Sequence, residues 1–241
     1  MVNVIPDLEL IGKSQCFPLY YYEPVDHEQL SLFDQNEGDY IRRDGVSDFI
    51  LERARKCNPK ISKEDIFYYV YGLLHSSEYR KRFSADLKKM LPRIPFPDNF
   101  SDFKVFSKVG RQLAELHLNY ENGEPCRSVI VTEVKSGSCQ VEKMRFVSKD
   151  DKRCIIFNDN IRIENIPLEA YEYVINGRSA IEWLMDRYQI TKNAQSQIIN
   201  NPNQWVEKDS NYILDLLLKI IKMSIDSVNI TANLPKLDFE D

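Results

Sequence analysis

The sequence predicts an α+β fold in which three successive regions build one shared core. Hydrophobic residues recur at helical spacing in the N-terminal half, fall in short β-branched runs around 128–164, and return to helical spacing towards the C-terminal end. We therefore expect a helical N-terminal half, an antiparallel β meander and C-terminal helices. The whole chain, 1–241, is expected to form one domain, with 1–122 and 123–241 as candidate subregions.

The N-terminal region is predicted to begin with an extended segment. Residues 3–23 are rich in aromatic strand formers, and Pro18 confines the segment to a sheet edge or a bend. An acidic loop that contains Gly and Asn follows, as far as about Gly45. A short helix is expected after Ser47. Three of its residues share one side, namely Phe49, Ile50 and Ala54.

Three further helices are predicted before residue 122. The first begins after Ser62, a good N-cap followed by two acidic residues. Its apolar residues lie at helical spacing: Ile66, Phe67, Val70, Leu73 and Leu74. The second covers 84–90 and stops before an extended, proline-rich stretch at 93–97. The third begins after Asn99 or Ser101 and has a buried stripe of Phe103, Phe106, Leu113 and Leu116.

The hydrophobic period changes after Gly123. Short β-branched runs separated by Gly, Asp and Asn are typical of an antiparallel meander. Four such runs occur, at 128–134, 141–147, 153–158 and 161–164. Asp159-Asn160 predicts a tight hairpin between the last two. Helices are expected again at about 179–188 and 211–230.

Charge and cysteine content constrain the class of protein. The net charge is −5, but its sign varies along the chain. Segment 75–95 has six Lys or Arg and two acidic residues, and segment 127–162 has eight Lys or Arg and five acidic residues. Segment 23–48 has only two Lys or Arg but eight acidic residues. Local sign matters more than the total, because salt screens surface fields within about 10 Å. The five cysteines have neither disulfide-framework nor zinc-ligand spacing, so we expect free, mostly buried thiols in a cytoplasmic protein.

Motifs of enzymes and of membrane or secreted proteins are absent from the sequence. The eight glycines include no GxG arrangement for a methyltransferase cofactor, and no GxxxxGK[ST] element is present for ATP. Asn201-Pro202-Asn203-Gln204-Trp205 is similar to the Asn-Pro-Pro-aromatic loop of adenine methyltransferases but lacks its second proline, and it is interpreted as a turn. Glu133-Val134-Lys135 matches the Glu-x-Lys of nuclease sites but is interpreted as the end of a strand. His27, His75 and His117 lie far apart, and no run has the length of a membrane span. We therefore predict no catalytic residue, no metal site, no cofactor, no secretory signal and no membrane partner.

Several strings of residues resemble the C-terminal specificity region of type ISP restriction-modification enzymes. They occur in the family's order and cover nearly the whole chain. The strings are Phe17-Pro18-Leu19-Tyr20, Asp44-Gly45-Val46-Ser47-Asp48-Phe49, 63–76, Tyr79-Arg80, Arg82-Phe83, 91–96, 116–120, 176–183, Asp186-Arg187-Tyr188 and Asn200-Asn201-Pro202-Asn203. In the last string the family sometimes shows Asn-Asp-Pro-Asn, a small departure.

The resemblance implies a function in DNA recognition. Enzymes of this family combine nuclease, helicase-like ATPase, methyltransferase and target recognition in one chain. A chain of this type is expected to read an asymmetric duplex sequence and to present an adenine to a methyltransferase domain of the same parent chain. The motor motifs that give such proteins a helicase label do not occur in these 241 residues, so the chain is expected to be non-catalytic.

The residues expected to read DNA are concentrated in the β region and the turn after it. Arg can bind O6 and N7 of guanine together, and Asn or Gln can bind N6 and N7 of adenine. We expect most base contacts from Lys143, Arg145, Lys149, Lys152, Arg153, Asn158, Asn160, Arg162, Asn176 and Arg178. We expect contacts to the DNA backbone from Arg80, Lys81, Arg82 and Arg93.

Several of these residues have structural alternatives. Arg80 and Arg82 can cap their helix or pair with nearby acids, and Arg178 can be a turn residue tied to Glu182. Two groups of tyrosines can stack on an extruded base, but packing with exposed hydroxyls is the simpler interpretation. They are Tyr20-Tyr21-Tyr22 and Tyr68, Tyr69 and Tyr71.

Two other classes of function compete with DNA recognition. The first is an interdomain protein-docking module without autonomous DNA binding, which the acidic stretch 23–48 would suit. A DNA reader loses affinity steeply as salt rises, so the salt response separates these two classes. The second is a small-molecule enzyme, which has no support in the sequence. We expect the chain to be monomeric.

Overall fold

The structure, a computed structural model, describes residues 1–4, 16–25, 39–97, 99–148, 150–206 and 209–236. Helices and small antiparallel sheets follow one another along the chain, which confirms the predicted α+β class. The chain divides into two compact units, Met1–Glu115 with Asn233–Asp241, and Leu116–Ala232. The buried apolar residues form one cluster in each unit. The expectation of one shared core is therefore wrong in this respect, because each unit buries its own apolar faces.

The first unit begins with a two-stranded antiparallel hairpin. β1 (Tyr20–Pro24) pairs with β2 (Tyr40–Asp44), so the predicted extended segment ends in a strand. The parts of that segment at 5–15 and of the acidic loop at 26–38 lie outside the described residues. α1 (Asp48–Arg55) follows where a helix is predicted, and the hydroxyl of its N-cap Ser47 accepts a hydrogen bond from the Ile50 amide.

α2 (Lys63–Leu74) begins at the predicted N-cap, Ser62. The Ser62 hydroxyl accepts from the Asp65 amide at 3.1 Å, and the Asp65 carboxylate accepts from the Ser62 amide at 3.0 Å. This reciprocal pair satisfies two amides that a helix start leaves without a helical partner. α2 buries Ile66, Tyr69 and Leu73 in the core of the first unit.

Two predictions near these helices are wrong. Phe49 in α1 is 72% exposed, whereas Ala54 is fully buried, so α1 buries a narrower side than its sequence suggests. The helix predicted at 84–90 lies about two turns earlier, as α3 (Ser77–Arg82), and 83–89 form successive turns. The reason is the buried Tyr79 side chain, which anchors α3 and donates its hydroxyl to the backbone oxygen of Arg93 at 2.6 Å.

α4 (Phe100–Leu118) is the longest helix of the N-terminal half and begins after Asn99. Phe103 and Phe106 are buried as predicted. Two glycines let α4 lie directly against the backbone of α2. A Cβ atom on Gly110 would lie 1.8 Å from the carbonyl oxygen of Tyr68, and one on Gly72 would lie 2.3 Å from that of Phe106.

The second unit contains a four-stranded antiparallel sheet. Its strands are β3 (Ile130–Glu133), β4 (Arg145–Phe146), β5 (Ile155–Ile156) and β6 (Ile161–Glu164), in the order β3-β6-β5-β4. β4, β5 and β6 form a meander as predicted, but β3 pairs with β6 instead of β4. β6 takes a central position between β3 and β5, and its Ile161 and Ile163 are both buried in the core.

The remaining elements of the second unit are two hairpins and two helices. β7 (Val174–Ile175) and β8 (Arg178–Ser179) form the first hairpin, and α5 (Ala180–Arg187) follows. Asn176 and Gly177 join its strands at φ of 49° and 82°, which is the backbone of a two-residue primed turn. β9 (Thr191–Lys192) and β10 (Ile199–Asn200) form the second hairpin, which the sequence analysis did not predict. α6 (Tyr212–Thr231) confirms the last predicted helix.

The core of the second unit lies between the sheet and the two helices. Its fully buried members include Ile155, Phe157, Ile181, Leu217 and Ile221. All five cysteines are free thiols, but Cys16 and Cys57 are exposed, so the expectation of mostly buried thiols is wrong for these two. In the part of the chain that the structure describes, no helix is long and apolar enough to cross a membrane.

Candidate nucleic-acid interface

One face of the four-stranded sheet presents two predicted DNA-reading arginines in a single row. The strand register places Arg145 opposite Ile156, Ile156 opposite Arg162, and Arg162 opposite Thr132. Both arginines are exposed, because Ile161 and Ile163 direct the other face of β6 into the core. Strands lie about 4.8 Å apart, so the two arginines begin about 10 Å from each other. The row therefore carries two long cations that can contact separate groups on one face of a duplex.

An acidic side chain on the same face limits its positive charge. Glu164 follows Arg162 by two residues along β6, so both side chains point to the same side of the sheet. The Thr132 hydroxyl donates a hydrogen bond to the Glu164 carboxylate at 2.6 Å and fixes its position. A carboxylate beside arginines repels phosphate but can accept a hydrogen bond from N4 of cytosine. The chemistry of this face fits base edges better than the DNA backbone.

Five of the predicted base-reading residues keep their polar groups available. The side chains of Lys143, Arg145, Arg153, Arg162 and Asn176 are exposed and form no hydrogen bond or ion pair with any described residue. Lys143 and Arg145 belong to the segment around β4, and Asn176 to the β7–β8 turn. Lys149 lies outside the described residues.

Lys152 is engaged inside the second unit. Its Nζ lies 2.7 Å from Oε1 of Glu182, and it is also 5.8 Å and 5.5 Å from the ring centroids of Phe146 and Tyr171. Burial alone would raise the pKa of Glu182, but hydrogen bonds from Lys152 and Ser179 outweigh burial and hold the pKa below its usual value. These contacts give Lys152 a structural role in joining the sheet to the start of α5.

Arg178 is likewise engaged, with a partner that differs from the predicted one. Its guanidinium lies 3.4 Å from Oδ2 of Asp186 and 5.4 Å from the ring centroid of Trp183. Glu182, the partner expected from sequence, instead caps α5 through Ser179. The arrangement favours the structural interpretation of Arg178, although half of its side chain is exposed.

Asn158 and Asn160 hold the loops at the end of the sheet. The Asn158 side-chain oxygen accepts from the amides of Asn160 and Ile161, both at 2.8 Å. Its side-chain nitrogen donates to the backbone oxygens of Ser138 and Gln140, both at 2.9 Å. These bonds account for the predicted hairpin at Asp159-Asn160. They also occupy the amide that the sequence analysis assigned to adenine.

The residues expected to contact the DNA backbone lie in the first unit, on α3 and the extended segment after it. Lys81 and Arg93 are exposed. Arg80 is half-buried, and the Arg82 guanidinium lies 6.0 Å from the ring centroid of Phe83. The segment at 93–97 is extended, as predicted, and the Tyr69 hydroxyl holds it by donating to the Pro95 backbone oxygen at 2.6 Å.

The two groups of tyrosines divide into engaged and exposed members. The Tyr20 hydroxyl donates to Glu64, which raises the pKa of Tyr20, and the Arg42 guanidinium lies 4.4 Å from the Tyr20 ring centroid. Tyr69 is fully buried, and Arg111 stacks on Tyr68. Tyr21 and Tyr22 are exposed, at 43% and 65%.

Sequence reasoning missed the β9–β10 hairpin as a candidate contact surface. All ten of its residues, 191–200, are exposed, and none is acidic. They include four amide or hydroxyl side chains near the tip and one lysine at the stem, Lys192. The signal was available in the sequence as an acid-free, amide-rich stretch between two predicted helices.

The described residues contain no group of three or more His, Cys, Asp or Glu side chains placed to hold a metal ion. His117 is buried, with Nε2 2.9 Å from the Ser227 hydroxyl. The Nδ1 of His75 lies 2.8 Å from the backbone oxygen of Tyr71, and burial lowers the His75 pKa. Both rings therefore have partners within the fold.

Comparisons with known proteins identify the family. The model of the type ISP C-terminal specificity domain matches residues 1–216. The chain is 38% identical to the ATP-dependent type ISP restriction-modification enzyme LlaBIII, solved bound to DNA, over 99% of this chain, with a TM-score of 0.84. It is 40% identical to a nuclease-deletion mutant of the type ISP enzyme LlaGI, solved with a DNA substrate mimic, over 83% of this chain, with a TM-score of 0.69.

These comparisons also define what the chain represents. It spans 15% of the LlaBIII chain and 17% of the LlaGI chain. The fold also resembles that in the DrdV–DNA complex, with a TM-score of 0.77 at 24% identity over 97% of this chain and 23% of that one. No functionally curated protein matches. Because the family model covers most of the sequence, the chain belongs to the type ISP C-terminal specificity domain family.

Proposed function

We propose that this chain recognises a specific double-stranded DNA sequence for a type ISP restriction-modification enzyme. It positions the target adenine for a methyltransferase domain of the same parent chain. The observation that carries the proposal is the 38% identity, over 99% of this chain, to an enzyme that was solved on DNA. The chain's own part is non-catalytic, and it works as a monomeric unit in the cytoplasm.

The geometry of the second unit supports this function. Arg145 and Arg162 stand in one row on an exposed sheet face, and Lys143, Arg153 and Asn176 present unoccupied polar groups on neighbouring loops. Forked and amide side chains of this kind distinguish base pairs in the major groove. The core beneath these side chains can keep the same backbone structure while the exposed residues differ between relatives.

Fluorescence anisotropy with a randomised duplex pool tests the proposal. The chain is titrated at low and at moderate salt, and the retained DNA is sequenced. We expect salt-sensitive binding and an enriched asymmetric motif. Alanine at Arg145 or Arg153 should then relax the preference at one base pair, whereas alanine at Arg178 should mainly lower stability. Absence of any enriched motif, with the parent enzyme as well as with this chain, would refute the proposal.

A second candidate, a protein-docking module, has one specific observation in its favour. Tyr22 and Tyr40 are 65% and 64% exposed, and the β1–β2 register places them on the same face of their hairpin. Exposed tyrosines are enriched where proteins dock. For a docking module, Tyr22→Ser would weaken binding to the separately expressed methyltransferase domain and leave DNA binding by this chain at background.

A further inference from the structure

The β9–β10 hairpin is a two-stranded ribbon that contributes nothing to the core. Each of its ten residues is exposed, and Ile198 and Ile199 are 68% and 62% exposed. Large apolar side chains are unfavourable to leave in water. Two of them side by side on a polar ribbon indicate a partner that covers them.

Hydrogen bonds within the ribbon fix its shape. The Asn193 side-chain oxygen accepts from the amides of Gln195 and Ser196, both at 2.9 Å. The Gln197 side chain donates to the Ala194 backbone oxygen at 2.8 Å. These bonds leave Gln195 as the amide side chain at the tip that has no partner among the described residues.

The base of the ribbon is bonded to the segment that leads into β4 and carries two predicted DNA-reading cations. The Ile190 amide donates to the Glu142 backbone oxygen at 2.8 Å. Asn203 pairs with both backbone groups of Val141, accepting at 2.9 Å and donating at 2.8 Å. Residues 141 and 142 lead directly to Lys143 and Arg145, so the ribbon is rooted beside them.

We propose that this ribbon enters the major groove and reads an adenine–thymine pair. The inference rests on the proposed function. The major groove admits a two-stranded β-ribbon, and Gln can bind N6 and N7 of adenine together. Apolar side chains contact the C5-methyl group that only thymine presents there, which gives Ile199 a partner. Lys192 stands opposite Ile199 at the stem and contacts phosphate.

The composition of the ribbon favours adenine–thymine over guanine–cytosine. Residues 191–200 contain no arginine, the usual reader of guanine, and no carboxylate to accept from cytosine. They also contain no negative charge that would repel the DNA backbone. The ribbon thus differs in chemistry from the sheet face, where Arg145, Arg162 and Glu164 suit guanine and cytosine.

Base analogues test this inference at the level of single atoms. The motif selected by the unmodified chain is synthesised with 7-deazaadenine, which lacks N7, or with uracil, which lacks the methyl group, at each adenine–thymine pair in turn. At one pair we expect 7-deazaadenine to weaken binding about fivefold. Uracil at that pair, or at one beside it, should weaken binding about fourfold.

Matched variants identify the side chains. Gln195→Ala should weaken binding to natural DNA about fivefold, and 7-deazaadenine should not weaken the binding of this variant any further. Ile199→Ala should likewise bind natural DNA less tightly and should not respond to uracil. Lys192→Ala serves as the control, because loss of a phosphate contact weakens all duplexes equally. All three side chains are exposed, so the melting temperatures should stay unchanged.

The outcomes separate the two proposals. If the unmodified chain and the parent enzyme select no motif, the proposed function falls and this inference falls with it. If a motif is selected but none of its adenine–thymine pairs responds to the analogues, only the inference is overturned. The same conclusion follows if Gln195→Ala and Ile199→Ala respond to the analogues as the unmodified chain does.

Discussion

At the scale of the residue, polar side chains with the same chemistry have different roles. Arg162 stands free on a sheet face, whereas Arg178 is paired with Asp186 and stacked on Trp183. The Asn176 side chain is exposed, whereas both the nitrogen and the oxygen of the Asn158 side chain are hydrogen-bonded to backbone groups. Residue type alone therefore identifies a set of possible DNA readers, and only the geometry of neighbours separates readers from structural residues.

Substitutions at Arg162 should separate charge from hydrogen-bond geometry. Arg162→Lys keeps a positive charge but loses the planar fork, so we expect it to relax the preference at one base pair by about 1–3 kcal/mol. Arg162→Ala should lose that preference equally and bind all duplexes less tightly. Selection from the randomised pool measures both effects. A motif that stays the same in both variants would show that Arg162 does not read a base.

Lys152→Met should lower stability in a pH-dependent way. The pKa of Glu182 is depressed in the folded protein, so its pairing stabilises the fold above the unfolded-state pKa and this contribution is lost as pH falls through the folded pKa. We expect the variant to be about 0.5–1 kcal/mol less stable at about pH 7, because solvent screens this partly exposed pair. At a pH below the folded-state pKa of Glu182 the difference should shrink to the loss of the aromatic contacts.

Urea unfolding at the two pH values measures this difference. Arg127→Met is a matched control, because its ion pair with Glu124 is almost fully exposed and should contribute nothing measurable at either pH. A stability difference for Lys152→Met that is equal at both pH values would contradict the role assigned to Glu182.

At the scale of the element, serine caps made the helices predictable. Ser47, Ser62 and Ser179 precede α1, α2 and α5. Each serine hydroxyl accepts a hydrogen bond from a backbone amide in the first turn of its helix. α3 was predicted about two turns too late because its anchor is a single tyrosine, Tyr79, whose burial depends on contacts that are distant in sequence. The short strands β7 to β10 have two paired residues each, which is too few for a period to be recognised.

Two of these caps should differ in strength. Ser179 forms a reciprocal capping box with Glu182 and is buried, so Ser179→Ala should lower the free energy of unfolding by about 1–2 kcal/mol. Ser47 accepts at 3.4 Å at an exposed helix start without a reciprocal bond, so Ser47→Ala should cost about 0.5 kcal/mol. Urea denaturation compares the two, and an equal loss would contradict the ranking.

At the scale of the whole molecule, the sequence was sufficient for the class and the family but not for the arrangement of the core. Helical and β periodicity are local properties, whereas the pairing of β3 with β6 closes a long loop and leaves no local signal. The site was predictable in part for the same reason. Arg145 and Arg162 were identified by type and region, and their common row follows from strand register alone.

The salt dependence of binding is a property of the whole surface. Although the net charge is −5, each phosphate contact should contribute about −0.9 to the slope of log affinity against log salt concentration. The double variant Lys81→Ala/Arg93→Ala should therefore reduce the slope by about 2 and weaken all duplexes equally. Lys222→Ala is the control, because Lys222 is paired with Asp226. An unchanged slope in the double variant would place the phosphate contacts elsewhere.

The bonds at the base of the β9–β10 ribbon have a consequence for how such a domain diversifies. Ile190 and Asn203 hold the ribbon through backbone groups of 141 and 142, and none of the ten residues 191–200 is buried in the core. Selection for stability leaves this stretch free, and selection for a target sequence can act on it alone. A lineage can therefore exchange the ribbon and acquire a new target while inheriting an unaltered scaffold.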